Sequence, residues 1–152
     1  MNLREKFGAS LKDAVKSQNK RRVSTLRLIN AAVKDRDIAA RTAGEDEGVS
    51  EDVILEILAK MVKQRDESVR TYEEAGRMEL AQQEAEEIEI IREFMPTQLS
   101  QDEVGAACGA VIDEIGASSL KEMGRCMGIL KERYAGRMDF ARAGAIVKER
   151  LK

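Results

Sequence analysis

Apolar residues recur along this chain at intervals of three and four, a pattern that predicts helices almost throughout. Leu3, Phe7, Leu11, Ala14 and Val15 fall on one face of a first helix. Gln18-Asn19 breaks the register. A second helix is expected from about Lys20 to Arg41, with Val23, Leu26, Ile29, Ala32 and Val33 facing inward. The stretch from Thr42 to Gly48 reads as an exposed loop. Ser50 is the expected N-cap of a third helix, with Glu51 and Asp52 set against the positive end of its dipole. Ile54, Ile57, Leu58, Met61, Val62, Val69 and Tyr72 form its apolar face, and Gly76 is the expected residue just past its end. A glutamate-rich fourth helix follows, from about Arg77 to Phe94, and Pro96 stops it.

Met95-Pro96-Thr97-Gln98-Leu99 is the expected domain boundary, giving an N-terminal helical domain at 1–96 and a C-terminal domain at 97–152. Past it, Ser100 and Glu103 have the spacing of a capping box, in which each side chain bonds the other residue's backbone N–H. Val104, Ala107, Val111 and Ile115 supply the apolar face of the helix that follows, and Gly116 ends it. Ser119 and Glu122 have the same capping spacing, followed by Leu120, Met123, Met127 and Leu130. Gly136 breaks the chain again. Asp139 is placed to cap a last helix with Phe140, Ala143, Val147 and Leu151 inside. The expected fold is therefore all-α, with about four helices in the N-terminal part and a small three-helix C-terminal domain.

Composition supports this picture. Three Phe, two Tyr and no Trp leave the core to Leu, Ile, Val, Met and Ala. One Pro and 11 Gly in 152 residues do not fit a turn-rich β fold or a disordered chain. No apolar run approaches the roughly 20 residues that cross a bilayer, so no membrane partner is expected. The charged start, Met1-Asn2-Leu3-Arg4-Glu5-Lys6, lacks the apolar centre of a secretion signal, and a cytoplasmic location is expected. Cys108 and Cys126 form no CxxC pair, and two reduced, packed thiols are expected. Net charge is only −2, but residues 1–44 carry +7, residues 45–96 carry −10 and residues 97–152 carry +1. Such asymmetry marks either a nucleic-acid face or helices that pair with one another.

Most catalytic routes lack their parts. The sequence has no histidine, which removes the usual general base at neutral pH and a common zinc ligand. It has no phosphate-binding glycine loop and no nucleophile elbow. Glu84, Glu86, Glu87 and Glu89 point around a helix instead of converging, so a solvated face is the preferred reading. No catalytic residue, metal site or cofactor is expected. Lys20, Arg27, Lys34 and Arg41 recur every seven residues and make one slowly drifting row. That row either follows a phosphate backbone or, as the favoured reading, is solvated or paired with the acidic fourth helix. Gly124 and Gly128 flank Arg125-Cys126-Met127. Close helix packing is their ordinary role, and close approach of an RNA backbone is the alternative. Arg125, Lys131, Arg133, Arg137 and Arg142 lie nearby in sequence. Without aromatic platforms for stacking bases, an RNA partner would be met through shape and backbone.

Several stretches resemble the YqeY family: Ser24-Thr25-Leu26-Arg27-Leu28-Ile29-Asn30-Ala31-Ala32, the segment Lys60 to Ser68, Tyr72 to Arg77, Phe94 to Leu99, then Met123-Gly124-Arg125-Cys126-Met127-Gly128 and Gly136-Arg137. The resemblance covers nearly the whole chain in order. It implies an all-helical fold whose C-terminal part is similar to the tail domain of the B subunit of the tRNA-dependent aspartyl/glutamyl amidotransferase. That likeness implies a non-catalytic module with tRNA as partner, bound near Lys121, Gly124, Arg125, Gly128, Lys131, Arg133 and Arg137. It also implies the label of a carbon–nitrogen ligase with glutamine as amido-N donor, although no residue here supplies that chemistry. A helical protein-interaction module without RNA is the alternative. Met138 stands where the resemblance leads one to expect a small residue, which bears on fine contacts and not on the fold.

Overall fold

The computed structural model describes residues 1–44 and 47–152. The expected loop at 42–48 includes Glu45 and Asp46, which lie outside the described residues. Among the described residues there are seven α-helices and no strand: α1 (Leu3–Lys16), α2 (Lys20–Thr42), α3 (Glu51–Glu74), α4 (Met78–Arg92), α5 (Gln101–Ile115), α6 (Met123–Arg133) and α7 (Phe140–Leu151), with one 3-10 turn at Leu120–Glu122. None of these helices is long and apolar enough to cross a membrane. The chain divides into two compact units, Met1–Met95 and Pro96–Lys152.

Local chemistry sets the helix ends. Asn2, Asn19, Ser50, Ser100 and Asp139 each accept a bond from a backbone N–H in the first turn of the helix they open. These bonds satisfy donors that have no partner inside the helix. Ser100 and Glu103 form the reciprocal capping box. After α3, Gly76 takes φ +73°, while the N–H groups of Gly76 and Arg77 bond the carbonyls of Glu73 and Tyr72. That pair of hydrogen bonds is a Schellman closure, which requires a left-handed residue that glycine supplies without strain. Gly116 closes α5 in the same way.

In the first unit, Phe7, Leu26, Ile29, Ile54, Leu58 and Ile91 are fully buried. Phe7 meets Phe94 edge to face, with centroids 5.0 Å apart, and so ties α1 to the segment after α4. Val15 departs from expectation: it is 51% exposed, and Ala14 takes the buried position. One residue is about 100° of helix, so of two consecutive apolar residues at the edge of a stripe one turns outward.

The glutamates of α4 are not a purely solvated face. Glu87 accepts from Arg65 Nε of α3 at 2.8 Å, with both side chains about six-sevenths buried. Its other oxygen lies 4.0 Å from Arg21 of α2. Glu86 lies 3.3 Å from Arg21 Nε, and Glu93 pairs with Arg22. The α2 side of this contact is therefore Arg21 and Arg22. The row of Lys20, Arg27 and Lys34 takes no part in it.

A second clip joins α1, α2 and the segment just before α3. Arg4 donates two bonds to Asp37, both at 2.8 Å, and Asp37 also accepts from Val49 N at 2.8 Å. Gly48, at φ +87°, makes room: a Cβ there would sit 3.0 Å from the Arg4 guanidinium. The Arg4 bonds, then the Val49 bond, lower the Asp37 carboxyl from 3.8 to about 2. A lowered carboxyl contributes stability above its ordinary value and loses that contribution as pH falls through the folded value. Asp37→Asn should therefore cost about 1–2 kcal/mol near neutral pH. The gap from wild type should close between roughly pH 4 and pH 2, read from urea denaturation at stepped pH.

In the second unit, Val104, Cys108, Val111, Cys126, Leu130, Ala143, Val147 and Leu151 make the core. Both cysteines are free and buried, and burial raises both thiols above their ordinary range. Met138 is buried in this cluster, so the larger side chain serves as core. Leu99 N bonds Arg137 O at 2.8 Å, fastening the segment before α5 to the turn before α7.

Candidate nucleic-acid interface on the sixth helix

The start of α6 departs from its capping signal. Ser119 is extended and its hydroxyl caps nothing, because the chain first makes the 3-10 turn and the α-helix begins only at Met123. Glu122 accepts instead from Ser118 N, at 3.3 Å. Leu120, expected inside, is 48% exposed.

From that start, α6 turns Cys126 and Leu130 into the core, with Met123 and Met127 half-buried beside them. The opposite face carries Gly124, Arg125, Gly128 and Lys131, all exposed, and Lys121 of the 3-10 turn is exposed just before it. The spacings of three, four and seven residues put these side chains on neighbouring turns. Close helix packing does not explain the two glycines: a Cβ built on either would meet nothing within 4 Å. Lys121, Arg125 and Lys131 have no hydrogen bond or ion pair among the described residues.

Two other expected site residues are engaged within the fold. Arg133 makes a two-pronged bond to Glu114 of α5, at 2.7 and 2.6 Å. That bond holds the Glu114 carboxyl below its usual range and raises the Arg133 guanidinium further. Arg137 Nε donates to Thr97 O at 3.0 Å, and its guanidinium lies 5.9 Å from the centre of the Tyr134 ring. Arg142 is exposed on α7. The structure thus brings together Lys121, Gly124, Arg125, Gly128 and Lys131, and commits Arg133 and Arg137 to internal contacts.

The glycine pair that does permit close approach is on α5. Arg150 of α7 donates to Gly105 O at 2.9 Å, and a Cβ on Gly109 would lie 2.6 Å from its guanidinium. Gly105 and Gly109 have the same four-residue spacing as Gly124 and Gly128, so spacing alone does not separate a packed pair from an open one. Among the described residues, no group of three or more Cys, Asp or Glu is placed to hold a metal ion.

A sequence profile of the family described as Yqey-like protein matches residues 4–151. An uncharacterised protein of Schizosaccharomyces pombe is 27% identical over 99 residues, covering 65% of this chain and 76% of its own length. The protein named altered inheritance of mitochondria protein 41, mitochondrial, of Clavispora lusitaniae is 30% identical over 110 residues, covering 71% of this chain and 61% of its own. Its namesake in Kluyveromyces lactis is 26% identical over 107 residues, covering 69% of this chain and 56% of its own. The chain therefore spans about three-fifths of the length of these two mitochondrial relatives.

Proposed function

Because this chain belongs to the family of Yqey-like proteins, we propose that it is a non-catalytic helical module that binds folded RNA, tRNA in the first place, through the outer face of α6. The observation that carries this reading is the pair of open glycines among three unpaired cations. A glycine inside a helix costs about 0.5–1 kcal/mol relative to alanine. Neither glycine repays that cost by packing within the fold. A partner that needs the helix backbone at close range, with phosphates against Lys121, Arg125 and Lys131, gives the glycines a use. The C-terminal likeness to an amidotransferase tail domain makes tRNA the first RNA to test, with assistance to glutamine-dependent amidation of tRNA as the process. The cytoplasm is the compartment of this reading. The names of two relatives assign those relatives to mitochondria, another compartment that holds tRNA.

The test is tRNA binding by Arg125→Ala and Lys131→Ala in the full chain, followed across a salt series. Each should weaken binding and reduce the slope of log affinity against log salt by roughly one unit, with helicity unchanged. The second reading, a protein-interaction module, is favoured by the exposed Leu120 at the edge of the same face. Pull-down with and without nuclease separates the two. A partner protein retained after nuclease, with tRNA binding insensitive to both substitutions, overturns the RNA reading.

A further inference from the structure

The cation row on α2 is a charged feature that the α6 interface leaves unused. Of the five cations from Lys20 to Lys34, Arg21 is held by Glu86 and Glu87 of α4 and Arg22 by Glu93 at its C-cap. Lys20, Arg27 and Lys34 are exposed and have no hydrogen bond or ion pair among the described residues. Seven residues separate each from the next, a rise of about 10.5 Å per step. The row drifts only about 20° per step, so the three charges lie along one side of the helix. Ser24 and Ala31, both exposed, are the small residues between them. Asp37, the acidic residue on the register of the row's far end, is taken up by Arg4 and Val49. Asp35 is the remaining exposed carboxylate of this helix, at the edge of the row. On the neighbouring α1, Lys6, Lys12 and Lys16 are exposed and have no carboxylate partner among the described residues.

We propose that the outer face of α2 is a second polyanion-binding surface, in which Lys20, Arg27 and Lys34 each meet a phosphate of a double-stranded RNA backbone. It shares the RNA premise of the reading above and uses a different unit of the chain. Unpaired cations spaced along a straight helix match a regularly charged rod better than a compact anion, which needs its ligands to converge. Among the described residues, carboxylates face the two flanking arginines and none faces these three, so their charge is available to an outside partner. The face carries no aromatic ring, so it suits an RNA helix whose bases stay stacked.

The experiment compares three full-length proteins: wild type, Lys20→Gln/Arg27→Gln/Lys34→Gln, and Arg125→Gln/Lys131→Gln. The probe is a 20-base-pair RNA duplex of arbitrary sequence, titrated between about 50 and 200 mM salt. The α2 triple variant should lose at least about tenfold in affinity at the lower salt, with a salt slope smaller by roughly two to three units. Its thermal unfolding should match wild type, because these exposed side chains make no hydrogen bond or ion pair among the described residues. Loss of duplex affinity in the α2 variant alone supports this surface, and the α6 site then stands or falls on tRNA binding by its own variants. Loss in the α6 variant alone overturns this surface and leaves the α6 site standing. Absence of duplex binding by wild type overturns the α2 surface whatever tRNA does. Vesicles of phosphatidylserine and phosphatidylcholine form the last arm: wild-type binding to them that the α2 variant loses, with duplex binding intact, assigns the row to a lipid surface and overturns the proposal.

Discussion

Gly128→Ala is expected to make the protein more stable and a poorer binder of RNA. The two effects have separate causes. Alanine restricts the unfolded chain and is a better helix former than glycine, which is worth about 0.5–1 kcal/mol at an unstrained helical position. The position is unstrained, since a Cβ there meets nothing within 4 Å. Gly124→Ala rests on the same observation, and because the added methyl groups need not touch, the pair should gain about 1–2 kcal/mol. Denaturant midpoints would move upward at constant slope. At the proposed α6 interface the same methyl group should hold an incoming RNA backbone away from the helix. About a tenfold loss of tRNA affinity for the double variant corresponds to roughly 1.4 kcal/mol. A loss of stability in either variant would show that the face is packed. A gain in stability with unchanged affinity would show that nothing approaches it closely, and would remove the main support for the α6 interface.

Glu87→Ala should be the most damaging single change at a charged position. Arg65 is enclosed between α3 and α4 with Glu87 as its charge partner and the Met61 carbonyl, 3.2 Å away, as its other bond. Arg21 Nε is already buried without a hydrogen-bond partner, and its approach to Glu86 at 3.3 Å is an ion pair without hydrogen-bond alignment. Removing Glu87 leaves the desolvated Arg65 charge with only the more distant Glu84 carboxylate to offset it, and loss of one partner of a buried pair typically costs about 3–5 kcal/mol. The lower end applies, because both side chains keep some access to water. A loss of about 3 kcal/mol lowers the melting temperature of a unit this size by more than about 10 °C. Glu86→Ala, at a half-exposed pair, should stay within about 1 kcal/mol of wild type. The pair Arg65→Met with Glu87→Leu should recover most of the loss, because an apolar pair of similar volume carries no desolvation cost. If Glu87→Ala and Glu86→Ala melt together, the burial of the Arg65 pair contributes nothing special.

The sequence by itself determined the helices and most of their ends, because those depend on groups only a few residues apart. Asn19, Ser50, Ser100 and Asp139 cap within three residues, and Gly76 and Gly116 supply the left-handed turns that their chain positions demand. Periodicity found Phe7, Leu26, Ile29, Ile54, Leu58 and Val147 for the core. The capping spacing at Ser119 and Glu122 was misleading, since the same spacing accommodates a 3-10 turn whose helix starts later. Only the tertiary structure decided which charges are spent inside the fold. Lys20, Arg21 and Arg22 are consecutive cations on α2, yet a rotation of about 100° per residue sends the second and third toward the α4 glutamates and leaves the first outside. The same holds for the site on α6. Arg125 and Arg133 look equivalent in sequence, but Glu114 of α5 faces one of them. Gly124-Gly128 and Gly105-Gly109 share a spacing, but Arg150 of α7 lies across only the second pair. A charge or a small side chain takes its role from what the rest of the fold places opposite it, and that placement depends on contacts far apart in the chain.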